Sequence, residues 1–123
     1  MKRILDLPLK AKWYDMQERG EKTEEYREIK PYWVKRLCPC TQGCSNGHWS
    51  EKYNKCVLTC KAVESHMNHY YNGERIGVFT HVRFRYGYTK RTFTHKIDSI
   101  TIGRGKPEWG APTDRDVFII KHY

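Results

Sequence analysis

No stretch of this chain is long and apolar enough to span a membrane. Hydrophobic residues make up 38% of it and the mean hydropathy is −0.86. A secretory leader is not expected either, because the apolar run in "MKRILDLPLKAKW" is short and carries Asp6 and Pro8 inside it. A disulfide framework is missing its arithmetic. The five cysteines are an odd number, all between Cys38 and Cys60, which argues for a reducing compartment and a cytoplasmic location. There is no internal repeat and no low-complexity tail, which argues against a repeat array and a disordered arm. The 123 residues fit one domain, 1–123, with little room for a second core. Acidic side chains are scarce, 14 against 23 lysines and arginines, for a net charge of +9. Such an excess concentrates polyanions at the surface, and nucleic acid is the commonest of them.

What is present is aromatic and unevenly basic. Nine Tyr, four Trp and four Phe supply most of the apolar area. Between Val82 and Lys106 seven basic residues face Asp98 alone, whereas the first 37 residues carry ten basic and seven acidic groups. "RILDLPL" reads as a first strand. "KAKWYDMQERG" reads as a helix burying Trp13 and Met16, with Gly20 just past its end. "KTEEYREI" follows as a strand whose period of two sends Thr23, Glu25 and Arg27 to one face. "KPYWVKRL" reads as a short helix with Pro31 in its first turn and Trp33 and Leu37 on its buried side. After an insertion, "VFTHVRFRYGY", "HKIDSITIGRG" and "RDVFIIKHY" read as strands separated by Gly and Pro signals. Val82, Phe84, Tyr86 and Tyr88 alternate there with His81, Arg83 and Arg85. The class expected is α+β, a small, mostly antiparallel barrel with short flanking helices.

Residues 38–61 interrupt the pattern as a cysteine-rich insertion. Cys40 and Cys44 are separated by three residues, as are Cys56 and Cys60, with eleven between the pairs. Two short knuckles of this kind can present four thiolates to a structural zinc, with Cys38 or His48 as substitute ligands. A flexible insert carrying reduced thiols is the alternative.

The stretch "GEKTEEYREIKPYW" sets Lys22, Thr23, Glu25 and Arg27 within six positions. Two cations can hold a phosphate or carbonyl oxygen, and a carboxylate between them can accept a proton or an amine hydrogen bond. A partly desolvated lysine near an arginine has its pKa pushed down, the usual route to a lysine base or nucleophile. Solvated ion pairs would produce the same spacing. Arg83 and Arg85 share a face and suggest a two-pronged phosphate grip. Tyr86 and Trp109 are each either packing or base-stacking residues.

"LKAKWYDMQERGEKTEEYREIKPYW" resembles the N-terminal signature of the ASCH family, the activating-signal-cointegrator homology domains: a helix ending in Gly, then x-Lys-Thr-x-Glu-x-Arg. "VRFRYGY" and "IGRGKPEWGAP…VFII" resemble later segments of its small bacterial and phage members, with Tyr86 where they carry Asn. The resemblance implies a PUA-like β-barrel with a helix at its mouth. It implies a cleft lined by Lys22, Thr23, Glu25 and Arg27 that binds RNA or a modified nucleotide, extended by Arg83, Arg85, Tyr86 and Trp109. One branch hydrolyses N4-acylated cytidine with a lysine, a threonine and a glutamate. Lys22 matches its lysine, its threonine falls at Glu25, Thr23 is one position off, and Glu108 is a candidate for the glutamate. Other relatives cleave RNA phosphodiesters. A hydrolase built on Lys22, Glu25 and Thr23 is thus the second expectation, and a basic module docking an acidic protein the third.

Overall fold

The computed structural model describes residues 2–37, 49–50, 55–56, 70–71, 74–75 and 79–123. The strands are β1 (Ile4–Leu9), β2 (Glu24–Glu28), β3 (Trp49–Ser50), β4 (Lys55–Cys56), β5 (Tyr70–Tyr71), β6 (Glu74–Arg75), β7 (His81–Tyr86), β8 (Thr92–Gly103) and β9 (Val117–His122). The helices are α1 (Ala11–Glu18) and α2 (Pro31–Leu37), with a 3-10 turn at Pro107–Trp109. Of the predicted zinc ligands, Cys38, Cys40, Cys44, His48 and Cys60 lie outside the described residues, and Cys56 is described only as part of the two-residue β4.

Five strands form one sheet in the order β1-β7-β8-β9-β2. β1 runs parallel to β7 and the other three pairings are antiparallel. The sheet curls into a half-barrel, which agrees with the small α+β barrel-like class. β8 makes the curl possible. Its first half pairs with β7 and its second half with β9, with a register shift between Ile97 and Ser99. A bulge of this kind bends a strand and increases its twist.

The core follows from alternation. Leu5, Leu7 and Leu9 of β1 and Val82 and Phe84 of β7 point inward, joined by Tyr14, Leu37, Ile97, Ile100, Phe118 and Ile120. Deleting a fully buried ring such as Phe84 would cost about 3–5 kcal/mol. β9 is buried on both faces. Its other side, Val117 and Ile119, packs with Tyr26 and Ala111 under Trp109. The segment from Gly105 to Ala111 therefore acts as a cover on the outside of β2 and β9.

α1 buries Tyr14 and Gln17, whereas the sequence suggested Trp13 and Met16, which are only half-buried. Its end is a Schellman motif. Gly20 takes φ 80°, its N–H bonds the Gln17 carbonyl at 3.1 Å, and Glu21 N–H bonds the Met16 carbonyl at 2.9 Å. Lys22 N–H shares the Met16 carbonyl at 3.1 Å. The chain is thus turned back beneath the helix, and Lys22 is carried inside.

Candidate functional site

Among the described residues β1 and β2 are the two edge strands of the half-barrel, and α1 and the 3-10 turn approach the seam between them. Lys22, Glu25 and Arg27 meet at this seam. The Lys22 side chain is fully enclosed. Its ammonium donates to the Glu24 carbonyl at 2.6 Å and to Glu25 Oε1 at 3.3 Å. It also sits 5.7 Å from the Trp13 ring centre and 5.2 Å from that of Tyr26. Burial lowers the Lys22 pKa, the Glu25 carboxylate opposes that, and Arg27 adds to it.

Glu25 is held from four sides. Oε1 accepts from Lys22 and from the Tyr26 N–H at 2.9 Å, and Arg27 Nη1 stands 3.4 Å away as an ion pair. Oε2 accepts from Gln17 Nε2 at 2.9 Å. A carboxylate has about four lone-pair sites, so Oε2 keeps room for one more donor. Arg27 Nη1 also donates to the Tyr26 carbonyl at 2.7 Å, and its guanidinium lies 5.3 Å from the Trp33 ring. It is a positioned cation, 19% exposed.

In front of this cluster lies a cleft of about 240 Å³, lined by Pro8–Lys10 at the end of β1, Trp13, Glu25–Arg27, and Trp109–Gly110. Pockets for drug-sized ligands run about 300–1,000 Å³, so this one has room only for a small group. Lys22 is not in its lining and lies behind the Trp13 and Tyr26 rings. A second cleft of about 320 Å³ adjoins it, sharing Tyr26, Arg27 and Gly110 and adding Glu28, Ala111, Pro112, Arg115 and Val117. Tyr26 ties the wall together. Its hydroxyl donates to Glu24 Oε1 at 2.8 Å and accepts from the Lys106 N–H at 3.0 Å. Burial is the main cause that raises its pKa.

The other expected residues are placed differently. Thr23 is exposed, because β2 begins at Glu24 and the inward alternation expected from Thr23 does not extend back to it. Its carbonyl accepts from the His122 N–H at 3.1 Å. Arg83 and Arg85 lie on the face of β7 opposite the core and are not in the lining of either cleft. Arg83 grips Asp6 with two bonds of 2.6 and 2.7 Å, and Arg85 stands 3.8 Å from the same carboxylate. The Arg83 hydrogen bond is the largest cause holding the Asp6 pKa below its usual value. Tyr86 packs edge-on against Tyr14, with ring centres 5.2 Å apart. Trp109 does line the cleft, with the Lys106 ammonium 4.2 Å from its ring centre. Glu108 is exposed on the 3-10 turn and lines neither cleft.

Sequence reasoning missed Gln17 and Lys10. Gln17 was legible only as the residue three after Tyr14 on the same helix face. It also missed His122, buried with Nδ1 2.9 Å from His95 Nδ1. Desolvation, then His95 and Lys22, push the His122 pKa down to about 3. Among the described residues no group of three or more His, Cys, Asp or Glu side chains is arranged to hold a metal ion, and no helix is long and apolar enough to cross a membrane. Comparison of the chain with protein-family models, curated proteins and solved structures finds no match.

Proposed function

We propose that the half-barrel is a PUA-like domain of the ASCH type and that its seam cleft binds a nucleobase, presented by RNA or a modified nucleotide. The observation that carries this reading is the fixed Glu25–Arg27 pair at the base of a cleft bordered by Trp13 and Trp109. A base edge carries hydrogen-bond donors beside acceptors. Glu25 Oε2 would accept from an exocyclic amine, and Arg27 would donate to a ring carbonyl. The indoles offer π-faces, and stacking is worth about 1–3 kcal/mol per base. The basic surface would draw in the polyanion. Lys22 acts here from behind, as the counter-charge that holds the Glu25 carboxylate in place.

The test is a fluorescence titration, since two of the four tryptophans border the cleft. Nucleosides and short single-stranded RNA are expected to quench the signal saturably. Trp109→Ala should weaken binding by about 5- to 150-fold, the equivalent of 1–3 kcal/mol. Equal competition by heparin, with no effect of Trp109→Ala, would instead mark a basic surface that docks acidic proteins.

The lowered Lys22 pKa beside a carboxylate favours one second reading, a hydrolase in the same cleft with Lys22 activating the attacking group and Glu25 handling the proton. The amine is enclosed in this structure, so that chemistry requires the Trp13 or Tyr26 ring to swing away. Incubation with N4-acetylcytidine and with labelled RNA decides it. Turnover that Lys22→Ala abolishes supports the enzyme, and binding without turnover removes it.

A further inference from the structure

The second cleft is a separate depression that shares a wall with the first. Tyr26, Arg27 and Gly110 line both. The two offer different chemistry. The first has the indoles and the Glu25 carboxylate. The second adds the Arg115 guanidinium beside the low apolar surfaces of Ala111, Pro112 and Val117, with Glu28 at its edge. Arg27 stands at the boundary. Among the described residues both of its polar contacts use Nη1, which leaves Nε and Nη2 to meet an anion. Arg115 is 59% exposed, and its partner Asp114 is an exposed neighbour 3.3 Å away. Such an exposed pair contributes little. Arg104, by contrast, is tied to Asp116 and to the Thr113 carbonyl.

We propose that the two clefts form one binding track, with the base in the first and its phosphate and flanking nucleotide in the second, so that the ligand is a nucleotide within a single strand rather than a free nucleoside. This rests on the base-binding reading above. Arg27 and Arg115 straddle the phosphate, and the pyrrolidine of Pro112 underlies the sugar or the next base.

The experiment measures tryptophan quenching by a nucleoside, its 5′- and 3′-monophosphates, a dinucleotide and an eight-nucleotide RNA, on the intact chain and on Arg115→Ala and Trp109→Ala. The dinucleotide is expected to bind about tenfold or more tighter than the nucleoside, the gain of one charge-assisted contact. Arg115→Ala should erase that gain and leave nucleoside affinity unchanged. It should also lower the salt slope for the eight-nucleotide RNA by about 0.7–1. The 5′ and 3′ monophosphates fix the direction of the strand, since only one of them should show the gain. Nucleoside binding that Trp109→Ala weakens, with no gain from any phosphate, overturns the two-cleft track alone. Absence of saturable nucleoside quenching, with Trp109→Ala silent for every ligand, overturns the base reading and the track with it.

Discussion

Lys22 gives the most direct test of whether the opening charged stretch is a built interior cluster or a set of surface charges. Its side chain is fully enclosed, that of Glu25 is 7% exposed, and the two are 3.3 Å apart. Lys22→Met keeps most of the volume and takes one of the cationic partners from the Glu25 carboxylate. Glu25→Gln keeps the shape and leaves the enclosed amine beside Arg27 with the Glu24 carbonyl but without its carboxylate. Removing one partner of a buried pair costs about 3–5 kcal/mol. Arg27 and the Tyr26 N–H still serve Oε1 after Lys22→Met, so the low end applies, about 3 kcal/mol for each single change. With both charges gone, neither is left uncompensated, and what remains is Arg27, 19% exposed, without its carboxylate partner. The double variant should then cost about 3 kcal/mol rather than about 6, a coupling near 3 kcal/mol. Urea unfolding of the four proteins supplies the numbers, provided the m-values stay equal. Single changes below about 1 kcal/mol that add without coupling would place the pair with exposed ion pairs and refute the reasoning.

Three further outcomes are expected. Gly105→Ala puts a Cβ 2.6 Å from the Ala111 Cβ and 2.6 and 2.8 Å from the Tyr26 ring. It should destabilise by about 1–3 kcal/mol and weaken ligand binding by displacing the wall shared by both clefts, which thermal unfolding and quenching read together. His122, with its pKa pushed down to about 3 in the fold, takes up a proton more readily when unfolded. Its contribution is complete above about pH 6.5 and is lost as pH falls from there towards 3, at up to about 1.4 kcal/mol per pH unit. His122→Phe, packed beside Phe84, should flatten that slope in urea unfolding between pH 6.5 and 4.5, and an unchanged slope would refute the assignment. The zinc expected from the cysteine spacing is checked on protein purified without chelator. One metal per chain is the expected value, and folded protein free of metal removes the idea.

The elements that sequence reading placed well are those whose partner is the core as a whole. Val82 and Phe84 alternate into it, and Leu37 and Trp33 pack on it from one side of α2. No detail of another strand was needed to know which way they point. The errors fall where the deciding partner is distant in sequence. In α1, Trp13 with Met16 and Tyr14 with Gln17 are equally spaced stripes, and the first is the more apolar. The second is buried because Gln17 finds Glu25, a bond that depends on how far the Gly20 turn brings β2 back under the helix. The parallel pairing of β1 with β7, which matches Ile4 to His81, has no local signature at all. It gives Asp6 a place beside Arg83, so two arginines that looked like a phosphate grip face a carboxylate supplied by the first strand, 77 residues before Arg83.

The same logic separates the residues of the charged stretch. Alternation alone would treat Thr23, Glu25 and Arg27 as equals on one face. The Schellman turn breaks the equivalence, because it ends the helix, buries Lys22 and delays the first regular strand residue to Glu24. A buried lysine then demands a carboxylate within reach, since an unpaired ammonium would be costly to enclose. Glu25 is the residue that meets the demand. Arg27, two positions on, shares that carboxylate and is left at the cleft with part of its fork turned outward. The side chain left at the cleft is therefore positioned by one that is enclosed behind it. Any substitution that lets Lys22 out into solvent should blunt recognition by Arg27 even though Arg27 itself is unchanged.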